Sequence, residues 1–163
     1  MSKVDLDKLV AQFREAVLST HSSHGDDTAV VSAGQLGAVM RWLKGAGFDY
    51  LVDLTAVDRL GQEPRFEVVY HLRSMSSGSR LRIKVPAHQV EDGPAPEVPS
   101  IVQIWPVANW LEREVWDMFG IKFTGHPDLR RILLYEEFIG YPLRKDYPKE
   151  KRQPLIRRDY TME

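Results

Sequence analysis

The residues best able to do chemistry cluster between 109 and 121. Glu112, Glu114 and Asp117 place three carboxylates in one helical stretch, and paired carboxylates could bind a metal or run acid–base chemistry. Helix geometry separates them. Positions two apart point about 200° from each other, so Glu112 and Glu114 face opposite ways. Only Glu114 and Asp117 share a side, with Arg113 four residues before Asp117. Capping and ion pairing are the plainer reading. Asn109 as N-cap with Glu112 at N3 makes a capping box, Arg113 pairs with Asp117 one turn on, and Gly120 ends the helix.

Other chemistries find less support. The chain has no cysteine, which removes disulfides, thiolate nucleophiles and cysteine-held zinc or iron–sulfur clusters. The denser glycines, Gly34, Gly37, Gly45 and Gly47, do not complete GxGxxG, because position 50 is Tyr. GxxxxGK[ST] and GxSxG are also missing. Of the five histidines only His21 and His24 are close, in a polar stretch without an evident third ligand. His126-Pro127-Asp128 resembles the HPD tripeptide of J-domain co-chaperones. It follows Ile121-Lys122-Phe123 rather than a basic helix, and reads as a turn.

These residues need elements to position them. The 163 residues, 43% hydrophobic and 28% charged with a net charge of −1, suit one globular core. No apolar run approaches the roughly 20 residues of a membrane span. The N-terminal residues do not read as a signal peptide. Helical spacing over 4–18 predicts a first helix, 21–27 a loop, and 29–31 a short strand. Leu36, Val39, Met40 and Leu43 mark a second helix, closed by Gly45 or Gly47. Runs at 50–57, 65–72 and 81–85 read as an antiparallel meander, joined through GQEP and SMSSGS. The stretch 92–99, with three prolines, reads as a stiff exposed link, and 101–105 as a further strand. The fold class expected is α+β: a mixed sheet of about four to five strands, two to three helices, and a long extended C-terminal arm.

Beyond Gly120 the character changes. Residues 121–163 hold ten basic against seven acidic residues, while the chain before them is net acidic. Tyr141, Tyr147 and Tyr160 alternate with Arg and Lys. Such a run could grip RNA, remain a solvated tail, or lie on another protein, where Tyr and Arg anchor interfaces. Its sparse apolar residues predict that the arm from about Glu136 finds little to bury against its own domain, and orders on a partner.

The stretch NWLEREVWDMFGIKFTGHPDLRRILLYEEFIGYPLRKDYP, at 109–148, resembles the signature of the C-type component of respiratory complex I, the 30-kilodalton-type subunit of NADH–quinone oxidoreductase. FDYLVDLTAVD and FEVVYHL are similar to that family more loosely, and Trp116 stands where the family usually has Tyr or Phe. The resemblance implies an α/β domain over 1–120 and an arm over 121–163 that wraps a partner. It implies a non-catalytic subunit of a proton-translocating oxidoreductase, with no active site, cofactor or metal of its own. Flavin and iron–sulfur clusters would belong to neighbouring subunits. The partner implied is the D (49-kilodalton-type) subunit beside the quinone-reducing module, together with other hydrophilic-arm subunits. No nucleic acid is implied, and the place would be peripheral, on the cytoplasmic side of the plasma membrane. The interface residues it implies are Glu112, Arg113, Glu114, Asp117, Gly120, His126, Pro127, Arg130, Arg131, Pro142, Leu143, Arg144, Lys145, Asp146, Tyr147 and Pro148. Two alternatives stand beside it: the equivalent subunit of a membrane-bound hydrogenase or a ferredoxin- or F420-oxidising complex, and an RNA-binding module using the basic tail.

Overall fold

The computed structural model describes residues 3–88 and 94–153. Alternating apolar residues in β3 (Tyr50–Asp58), β4 (Phe66–Arg73) and β5 (Arg80–Ala87) produce the expected meander. Phe66, Val68, Tyr70 and Leu72 of β4 face inward, opposite Leu51, Leu54 and Ala56 of β3 and Leu81, Ile83 and Val85 of β5. Beyond β5 lies β2 (Asp26–Val31) in parallel, and then β1 (Val17–Ser23) antiparallel at the edge. The five-stranded mixed sheet therefore has the order β1-β2-β5-β4-β3. Three helices complete an α+β fold: α1 (Lys3–Gln12), α2 (Leu36–Gly45) and α3 (Ala108–Phe119). Leu36, Val39, Met40 and Leu43 of α2 and Val115 of α3 share one hydrophobic cluster with the sheet. Full burial of each such side chain contributes about 1.5–3 kcal/mol.

Several expectations fail for physical reasons. The helix expected over 4–18 ends at Gln12, because the amides of Phe13, Ala16 and Val17 close it with turn bonds to Leu9 and Phe13 carbonyls. The loop expected at 21–27 is a hairpin. His24 and Gly25, at φ 55° and 83°, make its two-residue turn and bring Ser23 opposite Asp26. β1 escaped recognition because it is an exposed edge with no apolar alternation.

The apolar run 101–105 is not a strand. The amides of Ile104 and Trp105 both turn back to Ile101 O, and the run is apolar because Ile101, Ile104 and Trp105 are buried. A short buried run has no periodicity to distinguish turn from strand. The proline-rich link is partly structured: β6 (Glu97–Pro99) pairs in parallel with β7 (Lys122–Thr124), and Val98 is buried. Residues 92–93 of that link lie outside the described residues, as do 89–91 and 154–163.

Among the described residues no helix is long and apolar enough to cross a membrane. Nor does any group of three or more His, Asp or Glu suit a metal ion there. The core continues past Gly120, since Ile121 and Phe123 are buried in it. Ile121→Ala is expected to cost about 2–5 kcal/mol in a denaturant titration, the range for a core truncation. A cost below about 0.5 kcal/mol would mark Ile121 as a surface position.

Candidate functional site: the junction of helix α3 and the C-terminal segment

Helix α3 carries the signature carboxylates but does not use them as expected. It starts at Ala108 with Val107 as N-cap and without a side-chain cap, so Asn109 lies inside it and no capping box forms. Glu112 is wholly buried instead, with Oε1 accepting from the Ile101 amide at 2.7 Å. Glu114, on another face, is exposed. Tertiary contacts override both local patterns.

Arg113 and Asp117 do not pair. Arg113 Nε and Nη2 donate to the carbonyls of Arg130 and Arg131 at 3.1 and 2.9 Å. Asp117 is fully buried, and its Oδ1 takes Arg131 Nη1 at 2.6 Å. Its Oδ2 accepts three successive amides, Ile132 at 3.1 Å, Leu133 at 2.9 Å and Leu134 at 2.9 Å. Burial alone would raise this carboxyl, but the Leu134 and Leu133 amides, the Arg131 guanidinium and the Ile132 amide together hold it below the usual carboxylate range. Arg131 reaches on with Nη2 to Phe138 O at 2.8 Å and Gly140 O at 3.3 Å. Its guanidinium lies 5.7–5.8 Å from the ring centres of Trp116, Phe138 and Tyr141.

Gly120 closes α3 in the left-handed conformation, φ 73°. A Cβ there would sit 2.5 Å from Tyr141 Cε2 and 2.7 Å from Arg144 Nη2, so only glycine lets the segment approach. The Leu143 amide donates to Met118 O, and Arg144 Nε donates to Phe119 O, which satisfies carbonyls at the helix C-terminus. The Arg144 guanidinium also lies over Phe66 and Tyr141. Burial, and then the neighbouring Arg65 charge, pull its pKa below the ordinary arginine value.

A second clasp joins the same segment to the sheet. Asp58, at the end of β3, takes Arg65 Nε and Nη2 at 3.0 Å each, and its Oδ2 also accepts the Lys145 amide at 2.8 Å. Arg65 bridges on to Asp146 at 2.9 Å. Burial raises Asp58, and the bonds from Arg65 and Lys145 outweigh it, leaving the carboxyl low. Asp146 is held low first by Arg65. Further along, Tyr147 packs on Gly140, stacks with Phe138, and accepts Gln153 Nε2 at 2.6 Å.

His126 fixes the turn before the junction. Its Nδ1 accepts the Asp128 amide at 3.0 Å, so Nε2 carries the hydrogen and donates to Asn109 O at 3.1 Å. Arg130 pairs with Asp128 at the surface, Pro142 is half-buried, and Pro127 and Pro148 are exposed. The structure thus gathers Arg113, Asp117, Gly120, Arg131, Leu143, Arg144, Lys145 and Asp146 at one junction. His126 flanks it, and Glu112 lies apart. Sequence reasoning missed Asp58 and Arg65, and read Phe138 and Tyr141 only as arm residues for a partner. The one available signal was an aspartate at an inward-facing register position of β3. The expectation that residues from Glu136 onward find little on their own domain fails for 138–147, which these contacts pin down. Most of the junction's strong bonds end on main-chain atoms, so its chemistry is the shaping of an irregular chain.

Asp117→Ala leaves Arg131 and three amides without their acceptor, and is expected to cost about 3–5 kcal/mol in a denaturant titration. Asp117 and Asp58 have depressed folded values, so their stability is present above the unfolded value of 3.8 and is lost as pH falls through the folded one. Acid unfolding should therefore shift to higher pH in Asp117→Ala. An unchanged acid transition would argue against an ionised Asp117.

A sequence profile of the family described as "Respiratory-chain NADH dehydrogenase, 30 Kd subunit" matches residues 29–153. A C-type component of the NADH-quinone oxidoreductase of Rhizobium meliloti is 42% identical over 159 residues, covering 93% of this chain and 85% of the relative. The C-type component of the same enzyme in Roseiflexus is 46% identical over 146 residues, covering 88% and 82%. A trypsin-resistant fragment (1–134) of Nqo5 superposes with a TM-score of 0.66 at 32% identity, covering 76% of this chain and 98% of the fragment. A chain from the membrane-bound sulfane sulfur reductase, an archaeal respiratory membrane complex, gives 0.70 at 25% identity, covering 90% and 87%. The residues that clasp the C-terminal segment to helix α3 and the sheet thus lie within the matched span, and the chain belongs to the 30-kilodalton subunit family of the respiratory NADH dehydrogenase, whose bacterial members are the C-type components of NADH–quinone oxidoreductase.

Proposed function

We propose that the chain is a non-catalytic clamp in the hydrophilic arm of a proton-translocating NADH–quinone oxidoreductase. It holds the D (49-kilodalton-type) subunit beside the quinone-reducing module, peripheral to the cytoplasmic face of the membrane. Flavin and clusters reside in neighbouring subunits. The interface is the junction and the segment after it, including His126, Pro127, Arg130 and 142–148. The domain expected over 1–120, its core extended through Phe123, acts as the rigid body, and the rest of 121–163 as the arm.

One observation carries this reading. The backbone of 131–147 is pinned inward by charged groups, yet Leu133, Ile139 and Leu143 stay 64%, 61% and 54% exposed. Large apolar side chains held outward on a fixed backbone suit pockets of a partner. The likeness to a chain of an archaeal respiratory membrane complex supports a second reading, the same clamp in a related machine with another electron donor.

The combined change Leu133→Ser, Ile139→Ser and Leu143→Ser should leave the melting temperature of the isolated chain within about 2 °C. It should abolish co-purification with the D-type subunit. The purified chain should show no flavin or cluster absorbance. Unimpaired assembly of the triple variant would refute this interface, and stoichiometric bound flavin would refute a non-catalytic role.

A further inference from the structure

Glu112 has no part in the clasps of the junction, and its surroundings are unlike those of Asp58 and Asp117. Both Glu112 and Tyr70 are 0% exposed. Glu112 Oε2 and Tyr70 Oη, which couple electrostatically, each lack a hydrogen-bond partner among the described residues. The carboxyl has two donors, the Ile101 amide on Oε1 and the Ser100 hydroxyl. Ser100 in turn accepts the Val102 amide. An ionised carboxylate offers about four acceptor sites, and a buried one with half of them empty is strongly disfavoured. As a neutral acid, the same group needs fewer partners and escapes that cost.

Among the described residues no charged side chain is hydrogen-bonded to the Glu112 carboxyl; the cation at the turn, Lys44 of α2, donates to Ile104 O and lies over Trp105. The 100–105 turn contains no ionisable residue. On β4, Tyr70 is the titratable group of the inward face, while Glu67 pairs with Arg59 and Lys84. On β3, Asp58 is bound to Arg65, and the Asp53 carboxylate accepts the Leu54 amide. On β6 and β7, Glu97 pairs with Lys122. On α3 itself, Arg113 faces the carbonyls of Arg130 and Arg131, Glu114 is exposed, and Asp117 holds Arg131.

We propose that Glu112 is a pH-operated latch between α3 and the 100–105 turn: protonated, it stays buried and holds the turn through the Ile101 amide, and on giving its proton to solvent it draws water into the seam and loosens the turn. Burial supports the direction. It lifts Glu112 from 4.5 to about 7 against the opposing bonds from Ser100 and Ile101. It also raises Tyr70, which the Glu112 charge raises further. The latch is therefore set near neutrality.

Linkage gives the sign. A carboxyl whose folded value lies above its unfolded one stabilises fully below the unfolded value, and that stability is lost as pH rises through the folded one. Between 4.5 and about 7 the folded chain holds a proton that the unfolded chain lacks. The unfolding equilibrium constant should rise on the order of 100-fold across that window and then level off.

The test uses the full chain. Infrared difference spectra from about pH 5 to about pH 8 should show a carboxylic-acid carbonyl band disappearing near neutrality. Amide exchange at 101–105, corrected for its intrinsic pH dependence, should accelerate over the same range relative to β4. Glu112→Gln keeps the acceptor for Ile101 and gains a fixed donor, so it should lack the band and flatten the stability slope. Absence of the band in the unaltered chain near pH 5.5, or the same slope in Glu112→Gln, would overturn the proposal.

Discussion

The Asp117 carboxylate organises a stretch of chain that has no secondary structure to organise it. The described part of the segment beyond β7 has neither helix nor strand, so its amides and carbonyls lack a ladder. Asp117 supplies the acceptors for 132–134, and Arg131, bound to Asp117, supplies donors for the carbonyls of Phe138 and Gly140. One buried ion pair thus serves both halves of the backbone's hydrogen-bonding need. An anion near a helix C-terminus is disfavoured by the helix dipole. Arg131 beside it and Arg144 on Phe119 O place positive charge at that end and offset the penalty.

The second clasp repeats the scheme. Asp58 takes a guanidinium and one amide of the segment, and Arg65 joins it to Asp146. Between the clasps, Gly120 removes the Cβ that would hold Tyr141 and Arg144 away from the helix end. Charge holds the backbone inward, so the apolar side chains are left to point outward. The segment is pre-shaped on its own domain before any partner arrives, which lowers the ordering entropy that association must overcome. That is a different device from an arm that orders only on contact.

How much of this was legible follows the range of each interaction. The meander and α2 were readable because periods of 2 and 3.6 survive in residues that bury one face. β1 was not, because an exposed edge strand needs no apolar alternation. The Asn109–Glu112 box and the Arg113–Asp117 pair satisfied every local rule and still failed. Their side chains found better partners 11 to 18 residues away, at Ile101 and at the carbonyls and guanidinium of 130–131. Resemblance singled out Asp117, Gly120, Arg131 and 144–146 as a group. It gave them as a partner interface and not as contacts within the chain, and Asp58 and Arg65 were invisible because their partners lie across the fold.

Three of the four carboxylates buried among the described residues, Asp117, Asp58 and Glu112, show how donor count sets charge state. Asp117 accepts four hydrogen bonds and Asp58 at least three, and both stay ionised below the ordinary range despite burial. Glu112 has two donors and a bare oxygen, and burial prevails. The difference follows from what each carboxylate packs against. Irregular backbone has free amides to offer and makes a good bed for a charge. A seam between a helix and a sheet has already committed its amides to ladders, so a carboxyl placed there is left with a turn amide and a hydroxyl. The same side-chain chemistry therefore stabilises the junction most at neutral and higher pH, and the seam between α3 and the 100–105 turn most below neutrality.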